Sequence, residues 1–308
     1  MTGRIKRKTG TKRFHRSQII FYTSIVALPV VQFLIFYVGV NFNSILLAFG
    51  KYDIHTNTYS FNGLNNFTEV IKAFQTTLYM PSALKNSTLV YLLGLFISMP
   101  LGWLFSYYLH KKMFAAGIIK IILFLPTMLS SLIVVVVFKY LADRALPQIL
   151  EDLFALKVPG LISSTKLALP TLLFFCVWSG FGTSILLYLG AMNGTSQSLY
   201  EAAEIDGAGE FQEFLYITFP QVFPTISVYL VTGIGGFFTN QMHLFSLYGS
   251  DAEYALYTLG YYMYRGIKSA TPADYPHFAA MGLMMTSVAI PITYLVRYLL
   301  NRFGPSAD

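Results

Sequence analysis

Charged side chains are scarce: 14 acidic and 21 basic residues in a chain of 308, or 11%, against about 25% in soluble globular domains. So few cannot wrap a core in polar surface, and water is excluded as the main solvent. With 55% hydrophobic and 17% aromatic residues, the class that remains is a polytopic membrane protein. Cysteine is nearly missing. The one present, Cys176, excludes a disulfide within the chain and a thiolate metal cluster. His15, His55, His110, His243 and His277 lie far apart with no HxxxH or HExxH pair, which removes structural zinc. No GxxxxGK[ST] occurs, and no GxGxxG follows a plausible strand. The chain has no recognisable means of holding a nucleotide phosphate, so no catalytic residue, cofactor or metal is expected in it. Any ATP that its work requires must be bound by another subunit.

Long apolar runs are what the sequence has instead. A helix needs about 20 apolar residues to cross the hydrocarbon, and that length predicts six transmembrane helices in an all-α protein, near 18–40, 87–109, 117–141, 167–191, 222–246 and 277–300. The first follows a basic stretch, but its apolar run is too long for a secretory signal and no A-x-A site follows. Residues 1–17 read as a basic tail, 18–300 as the membrane domain and 301–308 as a second tail. Arg4, Lys6, Arg7, Lys8, Lys12, Arg13 and Arg16 precede the first crossing, which places the N-terminus in the cytoplasm; after six crossings the C-terminus is cytoplasmic too. That tract reads as topogenic, with binding to anionic membrane lipid as the alternative, and no nucleic-acid partner is expected on so short a membrane-anchored tail. The outer connections 41–86, 142–166 and 247–276 hold turn and cap residues such as Asn62-Gly63 and Pro159-Gly160. Loops of this length either receive a partner, lid a pathway or simply pack.

The cytoplasmic connection 192–221 carries most information. It reads as a short helix, a bend at Gly207 and Gly209, and a second helix. Ser198 and Glu201 have capping-box spacing. Ala202 and Ala203 offer a small apolar face, and Phe211, Phe214 and Leu215 a larger one. A helix lying on anionic lipid would be rich in Lys and Arg, but this stretch has none and carries Glu201, Glu204, Asp206, Glu210 and Glu213. A protein partner is favoured over membrane lipid.

Glu201-Ala202-Ala203, Gly207, Ile217 and Phe219-Pro220 are spaced as in the EAA-x3-G-x9-I-x-LP loop, and the chain resembles the membrane-spanning subunits of bacterial ABC importers. Only Phe219, in place of leucine, departs. The string from Tyr200 to Ala208, with Asp206-Gly207-Ala208, is similar to the carbohydrate-uptake branch that includes the maltose and glycerol-3-phosphate permeases. Gly63-Leu64-Asn65-Asn66-Phe67 matches that branch's G-L-x-N-[YF] pattern before the second crossing. The resemblance covers residues 15–303. It implies a type I importer permease in the bacterial inner membrane, paired with a second homologous permease subunit, two ATPase subunits and an extracytoplasmic solute-binding protein. It makes Glu201, Ala202, Ala203, Asp206, Gly207, Ala208, Ile217 and Pro220 the coupling element for the ATPase.

Polar residues inside a span face a pathway or another helix. The fifth segment has the densest set, with Thr232, Thr239, Asn240, Gln241 and His243 among glycines and Phe237-Phe238. Amides beside aromatic rings suit a sugar's hydroxyls and C–H faces; helix-to-helix packing is the competing reading. The resemblance carries substrate-lining positions onto Gly233, Gly236, Phe237 and Asn240 and, in the fourth segment, onto Cys176, Ser179, Gly180 and Thr183. The expected cargo is a sugar, an oligosaccharide first, with glycerol 3-phosphate, a polyol or another small solute as alternatives. A standalone secondary carrier is disfavoured, because no acidic residue lies inside the segments to couple protons.

Overall fold

The computed structural model describes residues 16–305, so the first six residues of the basic tract lie outside it. Helix α1 runs over 16–48, followed by the hairpin strands β1 (Gly50–Asp53) and β2 (Thr58–Phe61). Then come α2 (Asn65–Thr76), α3 (Met80–His110), α4 (Ala116–Met128), α5 (Ser131–Phe154) and α6 (Ala168–Asn193). A short α7 (Gln197–Ile205) precedes α8 over 210–239, α9 (Leu244–Tyr248), α10 (Leu259–Ser269) and α11 (Tyr275–Phe303). Five described helices are long and apolar enough to cross a membrane.

The expected third crossing is not one rod. It breaks between α4 and α5 with a bend of 105°. Pro126 removes an amide donor from the last turns of α4, and Ser130 adopts an extended ψ of 134°. The fifth crossing also stops early. Its helix ends at Thr239, and Met242 and His243 take left-handed φ values of 49° and 55°, so 222–246 is a helix followed by a turn. Nor is 41–86 mainly loop: α1 continues to Ala48, α2 fills the middle, and α3 begins at Met80.

The G-L-x-N-F pattern has a structural basis. Gly63 takes a φ of 62°, a conformation that costs other residues about 1–2 kcal/mol. Buried Asn66 then donates from Nδ2 to the carbonyls of Ala48 and Gly50, at 2.8 and 2.7 Å, and Phe67 packs on Phe49. One amide thus ties the end of α1 to the hairpin and to α2. Over 17–46 every described side chain of α1 is exposed, although the end of the helix, 40–48, lies beside α11.

Small residues set the helix spacing. Ser106 on α3 donates to the Ile185 carbonyl of α6 at 3.2 Å, and Gly102 faces Ser184 so closely that a Cβ would fall 2.9 Å from its Oγ. Buried Asn86 donates to the carbonyls of Ala255 and Tyr257, which fastens α3 to the segment ahead of α10. Gly260 on α10 lies against the end of α8, where a Cβ would overlap the Thr239 carbonyl and sit 2.7 Å from the Asn240 oxygen. Backbone atoms on both sides cannot yield. Gly260→Ala is therefore expected to destabilise the bundle by about 1–3 kcal/mol, whereas Gly235→Ala, with open space at its Cβ, should be neutral; thermal unfolding of the two purified proteins checks this.

Candidate functional site

Two regions gather the residues singled out by sequence. The first is the projecting α7 and its junction with α8. Helix α7 closes in a Schellman arrangement: the Ala208 amide donates to the Ala203 carbonyl at 2.9 Å and the Gly207 amide to the Glu204 carbonyl at 3.1 Å, with Gly207 at φ 78°. The Asp-Gly-Ala string is thus the stop of a helix. The start differs from expectation. Ser196 occupies the N-cap position without a side-chain cap bond, so Ser198 and Glu201 do not form a capping box. The reaching-back bond occurs one helix later, where Gln212 Oε1 accepts from the Gly209 amide at 3.0 Å.

The faces also sort differently. Ala203 is buried with Tyr200 against the bundle, so only Ala202 of the pair is presented outward. Phe214 turns in onto Trp103 and Tyr107, leaving Phe211, Leu215, Ile205 and Tyr216 exposed. Glu201, Glu204, Asp206, Gly207 and Glu210 are exposed, while Ala208, Ile217 and Pro220 are half-buried. Glu213 does not belong with the outward acids. It is buried, and Lys111 Nζ lies 2.6 Å from its Oε1 and 2.7 Å from its Oε2. Sequence reasoning missed this pair, because Lys111 read only as a topogenic charge and Glu213 only as one more surface acid; 102 residues separate them.

The second region is a pair of cavities that meet at Asn240. One, of about 390 Å³, brings together Cys176, Ser179, Gly180, Thr183, Asn240 and His243 with the broken ends of α4 and α5. The other, of about 260 Å³, is lined by Tyr91, Tyr229, Thr232, Gly233, Gly236 and Asn240. Phe237 stays out of both. It faces an apolar pocket with Ile234, Met281 and Met284 and packs edge-on to Tyr91. Trp178 stacks on Phe138 and lies near Phe175, a packing role. Both irregular stretches, 129–130 and 240–243, border the larger cavity, as membrane-depth backbone must when it is not helical.

Asn240 is the C-cap of α8. Its Oδ1 accepts from the Met242 amide at 2.8 Å and its carbonyl accepts from the Thr258 hydroxyl at 2.7 Å. The exposed Nδ2 donors are left for the cavities. Among the described residues no charged side chain lines either cavity; Lys139 turns away to donate to the Leu247 carbonyl at 2.8 Å.

This arrangement of crossing helices, projecting α7 and broken spans is that of a multi-pass type I ABC importer permease of the inner membrane. Residues 94–306 match the binding-protein-dependent transport system inner membrane components, and the chain belongs to that family. It is similar to the arabinooligosaccharides transport system permease protein AraP of Halalkalibacterium halodurans, at 26% identity over 296 residues, 94% of this chain and 90% of that one. It is also similar to the multiple sugar-binding transport system permease protein MsmF of Streptococcus mutans, at 24% identity over 83% of this chain and 88% of the relative. Among solved structures it resembles a bacterial ABC transporter involved in import of the acidic polysaccharide alginate, with a TM-score of 0.76 and 21% identity over 94% and 97% of the two chains. The same fold was solved in complex with an alginate pentasaccharide-bound periplasmic protein, with a TM-score of 0.74 and 20% identity over 95% and 97%.

Asn240→Ala removes both the turn acceptor and the free amide donors. It should lower stability by about 0.5–1.5 kcal/mol and reduce uptake several-fold. Asn240→Asp keeps the acceptor for Met242, so it should retain stability while still impairing uptake. Paired unfolding and uptake measurements on both variants separate turn from cargo contact.

Proposed function

We propose that the chain forms half of the translocation pathway of an ATP-driven importer for an uncharged oligosaccharide. Two ATPase subunits hydrolyse the ATP, a second homologous permease completes the pathway, and an extracytoplasmic binding protein delivers the sugar. The N-terminus, α7 and the C-terminus face the cytoplasm, as the basic tract before residue 17 favours. Helix α7 seats in the ATPase, with Glu201, Ala202, Asp206 and Gly207 at the contact and Ala203, Ala208, Ile217 and Pro220 shaping it from behind.

The observation that carries this reading is the projecting α7. It is a short helix whose stop is fixed by Gly207, whose inner face is buried, and whose outer face is acidic and partly apolar. Such a surface fits a protein groove and is repelled by an anionic leaflet. The sugar assignment draws on two relatives named for arabinooligosaccharides and multiple sugars. It draws as well on Nδ2 of Asn240 and the hydroxyls of Ser179, Thr183 and Thr232 at the cavities. Because no cation among the described residues lines them, a neutral cargo is favoured over glycerol 3-phosphate, which a pathway cation would serve.

In the assembled complex, Gly207→Pro forces a φ near −65° where 78° is needed, and Glu201→Lys reverses a charge on the outer face. Both are expected to abolish most sugar-stimulated ATP hydrolysis while the membrane bundle still assembles; full stimulation in both would remove the coupling assignment. A cysteine at position 207, with Cys176 replaced, should resist impermeant thiol reagents added outside sealed cells. Labelling from outside would reverse the topology.

A further inference from the structure

The Lys111–Glu213 pair joins elements that the chain could have left independent. Lys111 is the C-cap residue of α3, where the helix dipole favours a cation, and Glu213 lies in the first turn of α8, where it favours an anion. Each end of the pair is further enclosed. Tyr107 donates its hydroxyl to the Glu210 carbonyl at 3.1 Å and reaches Glu213 Oε1 at 3.4 Å. The Lys111 ammonium lies over the rings of Tyr200, at 5.3 Å, and Tyr107, at 6.0 Å. Tyr200 belongs to α7, and its hydroxyl lies 3.4 Å from that of buried Thr218. His110 bonds Asn193 at the end of α6 at 2.9 Å.

The end of α3, Tyr200 of α7 and the beginning of α8 thereby meet around one ammonium–carboxylate contact, with the end of α6 joined next to it through His110. From Glu213 the helical run continues without a gap to Thr239, the residue before Asn240. A displacement of α7 therefore has two paths: along α8 to the cavities, or into slippage between α8 and α3. The ion pair blocks the second.

We propose that Lys111 and Glu213 are positioning residues for transport, a latch that makes α7, α8 and the end of α3 move together so that ATP hydrolysis is converted into opening of the pathway at Asn240. This rests on the coupling role proposed for α7. Neither residue touches cargo or nucleotide; both act through α8. Without the latch, the ATPase turns over against a segment that yields, and sugar moved per ATP falls.

The test uses the complete importer in proteoliposomes, with sugar uptake and ATP hydrolysis measured together and thermal unfolding recorded for each variant. Lys111→Met leaves the buried Glu213 carboxylate unpaired, and Glu213→Gln leaves the half-buried Lys111 ammonium without its carboxylate; each should lower the ratio of sugar to ATP several-fold. Since either could simply weaken the fold, the paired Lys111→Met, Glu213→Leu variant is decisive. Matched apolar residues often replace a buried ion pair without loss of stability, so it should unfold near the wild-type temperature and still show the lowered ratio. Lys111→Arg, which can still grip both oxygens, should keep it. A wild-type ratio in the apolar pair overturns the latch, and so does an Arg variant as uncoupled as the Met variant. Failure of the underlying reading is separable: it appears as normal stimulation in Gly207→Pro, whereas failure of the latch alone leaves Gly207→Pro uncoupled and the apolar pair normal.

Discussion

Backbone amides and carbonyls inside hydrocarbon have no water to bond to, and everything in this chain follows from where that demand is met within helices and where it is not. Helices α3, α6, α8 and α11 satisfy it along most of their length. Among the described residues the apolar spans lose helical backbone at 129–130 and 240–243, and both stretches border one cavity that has polar groups in its lining. Irregular backbone at membrane depth is tolerated only against protein or a wet space, so the breaks and the cavity require one another. Asn240 combines the two roles: one side-chain atom closes the turn that replaces the helix, and the other faces the space the turn creates.

How much of this could be read beforehand depended on the range of the interaction. Apolar length marks a span because the bilayer has one thickness, and the crossings were legible from it. The bend near Met128 was not. Pro126 inside an apolar run weakens a helix without saying whether it kinks or breaks, and the outcome is set by packing against α6, where Gly182 faces Thr127. The Asp206-Gly207-Ala208 bend was legible, since a helix stop is written within a few residues. The faces of α7 and of the start of α8 were not. Phe214 and Glu213 turn inward because Tyr107, Trp103 and Lys111 at the end of α3 meet them there. Contacts between residues a hundred positions apart leave no periodic trace, and an acid among acids looks like surface.

Glu213 shows how composition can mislead about a surface. Five acids in one loop suggest a uniformly anionic patch, yet one of them is internally neutralised and contributes to holding the loop in place. The outward charge is smaller, and it lies on a helix whose back is fixed by tyrosines and whose end is fixed by a glycine. Rigid mounting is what a small contact surface needs if force is to pass through it, because each free rotation behind the contact would absorb part of the displacement. The same economy holds at the other end of the bundle, where Asn66 sets the direction of α1 with two hydrogen bonds from one amide.

The left-handed backbone at Gly207 also constrains what the gene can do. Asparagine is the residue that tolerates such a position best after glycine, but no single base change converts a glycine codon into an asparagine codon. Aspartate, the nearest accessible substitute with some tolerance, would set a second carboxylate beside Asp206 at the tip of α7. The other single-step replacements bring a β-carbon into the disfavoured conformation, and among them only serine could offset it with a weak local hydrogen bond. Gradual change at the position is costly, and variation in how α7 meets a partner comes more readily from its flanks, at Glu201, Ala202, Glu204, Ile205 and Phe211.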